Sequence, residues 1–166
     1  MNKLMRTFIQ ASLIIVAVTC FSSSFLCQPA PIPSIVTSPA IFGTWKGESI
    51  CVGNRPACKN EVVVYRFEAV AGKSGVVLQL ADKIIAGKRV PMGKLEFRYD
   101  DSRGELTGEF RVGQTHGLWQ FRVRGERLVG TLEVLPDREL ARRVNVKRVG
   151  EEEVPKPPAR ETYEGV

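Results

Sequence analysis

Residues 103–134 read RGELTGEFRVGQTHGLWQFRVRGERLVGTLEV, and their alternation is that of three consecutive strands. Leu106, Gly108, Phe110 and Val112 alternate with Glu105, Thr107, Glu109 and Arg111. Past Gly113 and Gln114, the residues Gly117, Trp119, Phe121 and Val123 alternate with Gln120, Arg122 and Arg124. Past Gly125 and Glu126, Leu128, Gly130, Leu132 and Val134 alternate with Arg127, Thr131 and Glu133. A period of two puts each apolar set on one face of a pleated strand and each charged set on the other. The turns between them are too short for a crossover helix, so neighbours run antiparallel. The first strand's Leu106, Gly108, Phe110 and Val112 return one hairpin later as Leu128, Gly130, Leu132 and Val134, the weak repeat that a meander of hairpins produces.

The same phasing extends outward in both directions. Val63, Tyr65 and Phe67 share a face against Arg66 and Glu68; Val76, Leu78 and Leu80 form another set; Leu95, Phe97 and Tyr99 alternate with Lys94, Glu96 and Arg98; Val144 and Val146 alternate with Arg143, Asn145 and Lys147. With the opening segment from Phe42 to Cys51, the count reaches eight strands. The fold class expected is all-β, an eight-stranded antiparallel up-and-down barrel, because one polar face per strand leaves one face to bury and closure removes the free edges. A β-sandwich is the structural alternative. Between Leu135 and Ala141, Pro136, Asp137 and Glu139 suit a helical turn. The inward glycines Gly47, Gly93, Gly108, Gly117 and Gly130 permit tight coiling and thin the interior, leaving either a close-packed small core or room for a ligand.

The flanks carry other signals. Lys3 and Arg6 precede an apolar run from Phe8 to Phe21 that ends at Ser22, Ser23 and Ser24, shorter than the roughly 18 to 20 residues of a spanning helix. Residues 1–27 therefore read as a cleaved signal peptide, and the product as exported, periplasmic or secreted, with no membrane span; a lipid anchor at Cys20 is the minor alternative. Residues 28–40 form a proline-rich spacer, residues 41–149 one barrel domain, and residues 150–166 a charged, proline-rich tail expected to be disordered. Losing Lys3 and Arg6 with the leader lowers the net charge from +6 to +4, only mildly basic. Cys51 and Cys58 survive the cut, flank Gly53, Asn54 and Pro56, and in an oxidising compartment should pair. The spacing and the single histidine make half a metal site the weaker reading, and no metal or cofactor is expected.

Gly43-Thr44-Trp45 opens the first strand, and Arg148 on the last is in phase with Val144 and Val146. In these residues the chain resembles the lipocalin-like, or calycin, superfamily, whose barrels carry a Gly-x-Trp on the first strand and an Arg from the barrel's end across the indole. The domain is shorter than a typical lipocalin and its sequence has no helix after the last strand, so the resemblance is to small bacterial envelope proteins of this shape rather than to true lipocalins. It implies a structural role for Gly43, Trp45 and Arg148, with the guanidinium on Trp45 where first and last strands meet, worth about 0.5 to 2 kcal/mol.

Candidate chemistry is sparse. His116 reads as a hairpin residue, and no Gly-x-Ser-x-Gly, paired metal ligands or phosphate loop accompanies it, so no catalytic residue and no enzyme is expected. Ser49 and Glu61 fall in phase with inward residues near the cysteines, and with Tyr65, Phe97, Phe110, Trp119 and Phe121 they are the ligand-pocket candidates. The basic C-terminal third, with Arg122, Arg124, Arg143 and Lys147 outward, does not imply nucleic acid, since the aromatic residues point inward and no stacking platform faces out. The expectation is a non-enzymatic binding protein for a small apolar or amphipathic ligand; the alternative is an envelope protein-interaction module, like a protease inhibitor, using rim and loops.

Overall fold

A computed structural model of the chain describes residues 40–163; the leader, Cys20 and the spacer up to residue 39 lie outside the described residues. The strands are β1 (Gly43–Cys51), β2 (Glu61–Ala69), β3 (Val76–Ile85), β4 (Lys88–Asp100), β5 (Glu105–Val112), β6 (Thr115–Arg124), β7 (Arg127–Val134) and β8 (Glu139–Val149). Each pairs antiparallel with its sequence neighbour, and β1 also pairs with β8, so the sheet closes as an eight-stranded barrel and the sandwich is excluded. The outer positions carry exposed charge, among them Lys94, Arg98, Glu109, Arg111, Arg122, Arg143 and Lys147. That is the pattern of a wall against water, not hydrocarbon. No helix among the described residues is long and apolar enough to cross a membrane.

One end of the barrel is plugged. Trp45 is fully buried opposite Arg148, whose guanidinium carbon lies 4.3 Å from the indole centroid, and the indole Nε1 donates to the Ile41 carbonyl at 2.8 Å. Arg148 also donates to the carbonyls of Ala40 and Phe42 and pairs with Glu126 at 3.1 Å, so one side chain ties chain entry, first strand and last strand together. Above this plug, Phe67, Phe97 and Phe121 meet edge to face at centroid distances of 5.6 to 6.4 Å. Two of the inward glycines, Gly108 and Gly130, are shelves for these rings. A Cβ on Gly108 would come within 2.8 Å of the Phe97 ring, and one on Gly130 would run into the ring of Phe121. Half of the interior is thus filled.

β3 runs in the opposite phase from the one its hydropathy suggests. Val77, Gln79 and Ala81 pair with inward Ala69, Phe67 and Tyr65, and so face the core, while Val76, Leu78 and Leu80 face out. The reason lies in the C-terminal segment, which is not disordered as expected but lies on the outer wall of β1 to β3. Glu151 accepts from Thr44, Lys46 donates to the Glu153 carbonyl at 3.2 Å, Arg160 pairs with Glu68 at 3.0 Å, and the Tyr163 hydroxyl donates to Asp82 at 2.7 Å. Outward Val64 and Leu80 are fully buried, as is Tyr163, and Val154 is buried with 8% exposure. With both faces of β3 covered, its residues lose the alternation that would reveal phase. Between β7 and β8 there is no helical turn: the Leu135–Pro136 peptide is cis, Arg138 has φ of 56°, and β8 begins at Glu139.

Candidate binding site

The end opposite Trp45 is open. It is framed by the Cys51–Cys58 loop and by the β3–β4, β5–β6 and β7–β8 turns. The two cysteine sulfurs stand at bonding distance, 2.03 Å, and Cys51 N–H donates to the Asn60 side chain at 2.9 Å, pinning the loop to the mouth of β1. Inside this end lies a pocket of about 220 Å³, lined by Ser49, Glu61, Tyr65, Gln79, Phe110, Trp119, Arg142 and the Met92–Leu95 run of β4.

A gap in the wall explains where the pocket sits. β4 and β5 pair only at Arg98 with Thr107, Tyr99 with Leu106 and Asp100 with Glu105, all near the plugged end. Toward the mouth the two strands part, and the pocket lies behind the parting, with Leu95 on one side and Phe110 on the other. Its inner wall is aromatic. Trp119 stacks on Phe121 at 5.3 Å with planes 12° apart, and Tyr65 meets Phe121 edge on at 5.8 Å.

Five of the seven pocket residues expected from sequence, Ser49, Glu61, Tyr65, Phe110 and Trp119, come together here. Phe97 and Phe121 do not: they belong to the packed half, drawn there by Gly108 and Gly130. Glu61 is not a solvated rim group, because Arg142 holds it at 3.0 Å and Lys83 at 3.4 Å.

Arg142 is the residue that sequence reasoning missed. Its guanidinium donates to the Ser49 hydroxyl (2.7 Å), the Ser49 carbonyl (3.1 Å), the Lys59 carbonyl (3.0 Å), the Cys58 sulfur (3.2 Å) and Glu61. It thereby fixes β1, β2, β8 and the cysteine loop around one cation. A signal was present: Arg142 precedes Val144 by two residues and shares its inward phase. Burial pushes the pKa of the Tyr65 hydroxyl upward, with Glu61 adding to the shift and Arg142 and Ser49 opposing it. The phenol is therefore neutral at any ordinary pH.

Gln79 is the second missed residue, hidden by the inverted phase of β3. It is 5% exposed, lines the pocket, and its side-chain nitrogen has no hydrogen-bond partner among the described residues. A buried amide left unpaired costs about 1 to 3 kcal/mol. His116 lies away from this set, its Nε2 2.9 Å from Glu109 on the outer wall. A broader trough of about 580 Å³ crosses the outside of β5 to β8 between Gln120, Arg122, Thr131, Arg143 and Asn145. Compared with known proteins, the chain matches no family model and no curated protein.

Proposed function

We propose that the chain is an exported, non-enzymatic binding protein of the lipocalin-like kind, which holds a small amphipathic molecule at the open end of its barrel. The observation that carries this reading is Gln79, a buried amide without a partner on the wall of an otherwise aromatic pocket. A ligand carbonyl or carboxylate would satisfy that donor while its apolar body lay against Phe110 and Trp119. At about 220 Å³ the space falls below the common range for drug-sized ligands, so the molecule is small or enters only in part. The Trp45–Arg148 contact supports the lipocalin-like assignment, and the leader pattern with the paired cysteines supports export.

Ala81 faces the pocket, so Ala81→Phe fills it. The environment-sensitive naphthylamine dye N-phenyl-1-naphthylamine should bind the native chain, with quenching of Trp119, and bind the Ala81→Phe variant at least tenfold more weakly, about 1.4 kcal/mol. Equal dye binding by the two proteins would refute the reading. The interaction-module alternative draws on the parting of β4 and β5, whose facing edges lack ladder partners toward the mouth and could accept an extended segment as an added strand. A partner of that kind would be indifferent to the filled pocket.

A further inference from the structure

The large apolar side chains that the described residues leave exposed are Ile50, Val62, Ile85, Met92 and Val112, between 37% and 53% accessible. All five belong to the open half. Ile50 is next to the last residue of β1, Val62 is the second of β2, Ile85 ends β3, Val112 ends β5, and Met92 stands in β4 beside the pocket. Lys59, Lys88 and Arg111 surround the same end, are exposed, and have no carboxylate partner among the described residues. Other cations at this end, Arg55, Lys83, Arg138 and Arg142, are engaged by carboxylates, as Lys73, Arg103, Arg122 and Arg148 are at the plugged end, where Arg124 and Arg127 are exposed.

We infer that the open end docks on a lipid bilayer carrying anionic headgroups, with Ile85 and Val112 at the hairpin tips entering the interfacial layer and Lys59, Lys88 and Arg111 against the headgroups. Apolar points on separate turns, ringed by cations, suit a surface that is soft and negatively charged. They suit a protein partner less well, because protein interfaces are enriched in aromatic residues, absent from this set, and depleted in lysine. The described chain enters the barrel at the plugged end, where the Ala40 and Phe42 carbonyls accept from Arg148. This inference goes beyond the ligand reading and does not require an occupied pocket.

The test is flotation of the full chain with vesicles of phosphatidylcholine, with and without phosphatidylglycerol. The quantity read is the gain in binding due to the anionic lipid, to which an apolar leader common to all samples contributes little. Each cation near such a surface is worth about fivefold, so the triple variant Lys59→Ser, Lys88→Ser, Arg111→Ser should lose roughly two orders of magnitude of that gain. Ile85→Ser with Val112→Ser should weaken binding to both kinds of vesicle. The control is Arg124→Ser with Arg127→Ser, two exposed cations at the plugged end, which should change nothing. No gain from phosphatidylglycerol, or equal losses in the triple variant and the control, overturns the inference. Binding of the naphthylamine dye, measured on the same proteins, is expected to be unaffected, so failure here leaves the pocket reading intact.

Discussion

At Gly130 the inner wall of β7 lacks a side chain, and the ring of Phe121 on β6 lies across the backbone in its place. Gly130→Ala would force that ring out of position in a packed core. Overpacking of this sort costs about 1 to 3 kcal/mol, and the urea midpoint of the variant should fall accordingly; an unchanged midpoint would mean the ring moves aside freely. Alternation of residues was enough to say that Gly108, Gly117 and Gly130 point inward. Whether they open space or seat rings depends on which residue stands across the ladder, and register is not written in a single strand. Phe110 and Trp119 kept their expected place for the same reason that Phe97 and Phe121 lost theirs: only the register settles which rings reach the parted end of β4 and β5. Arg142 was legible through its phase with Val144, whereas the unpaired nitrogen of Gln79 was not, because it follows from tertiary packing.

Among elements, the C-terminal segment changes most between sequence and structure. Composition from Glu151 to Arg160 offers charge and proline, and little to bury, yet Val154 and Tyr163 find cover on the outer wall. Tyr163 makes this docking depend on pH. Burial, the hydrogen bond to Asp82 and the Asp82 charge raise its pKa to about 12, against about 10 when unfolded. The folded state thus favours the protonated phenol, and its contribution is complete below about pH 10 and fades as pH rises through about 12. Fluorescence anisotropy of a dye at the C-terminus should drop over that range in the native chain, and a Tyr163→Phe variant should lack that step. The cysteine loop makes a second prediction at this scale. Replacing Cys51 and Cys58 by serine should lower stability by about 2 to 3 kcal/mol in chemical denaturation, since the bridge closes a short loop. A loss under 1 kcal/mol would mean that Arg142, through Ser49, Lys59 and Glu61, holds the loop unaided.

For the molecule as a whole, strand number and direction were legible because short turns leave neighbouring strands no other arrangement. Closure was an inference from the need to cover edges, and the β1–β8 pairing realises it. The uneven interior, plugged around Trp45 and open beside Gln79, could not be read from any one segment, since it comes from β4 and β5 separating after three paired residues. That closure also sets an order of events for folding. Phe42 and Arg148 are 106 residues apart in sequence, and bringing such distant ends together costs about 4 kcal/mol of loop entropy before any contact repays it. Until β8 is in place, the first strand has one neighbour instead of two and the indole of Trp45 lacks its cap. The barrel is therefore completed last and late, by a non-local step of the kind that makes β topologies slow to fold.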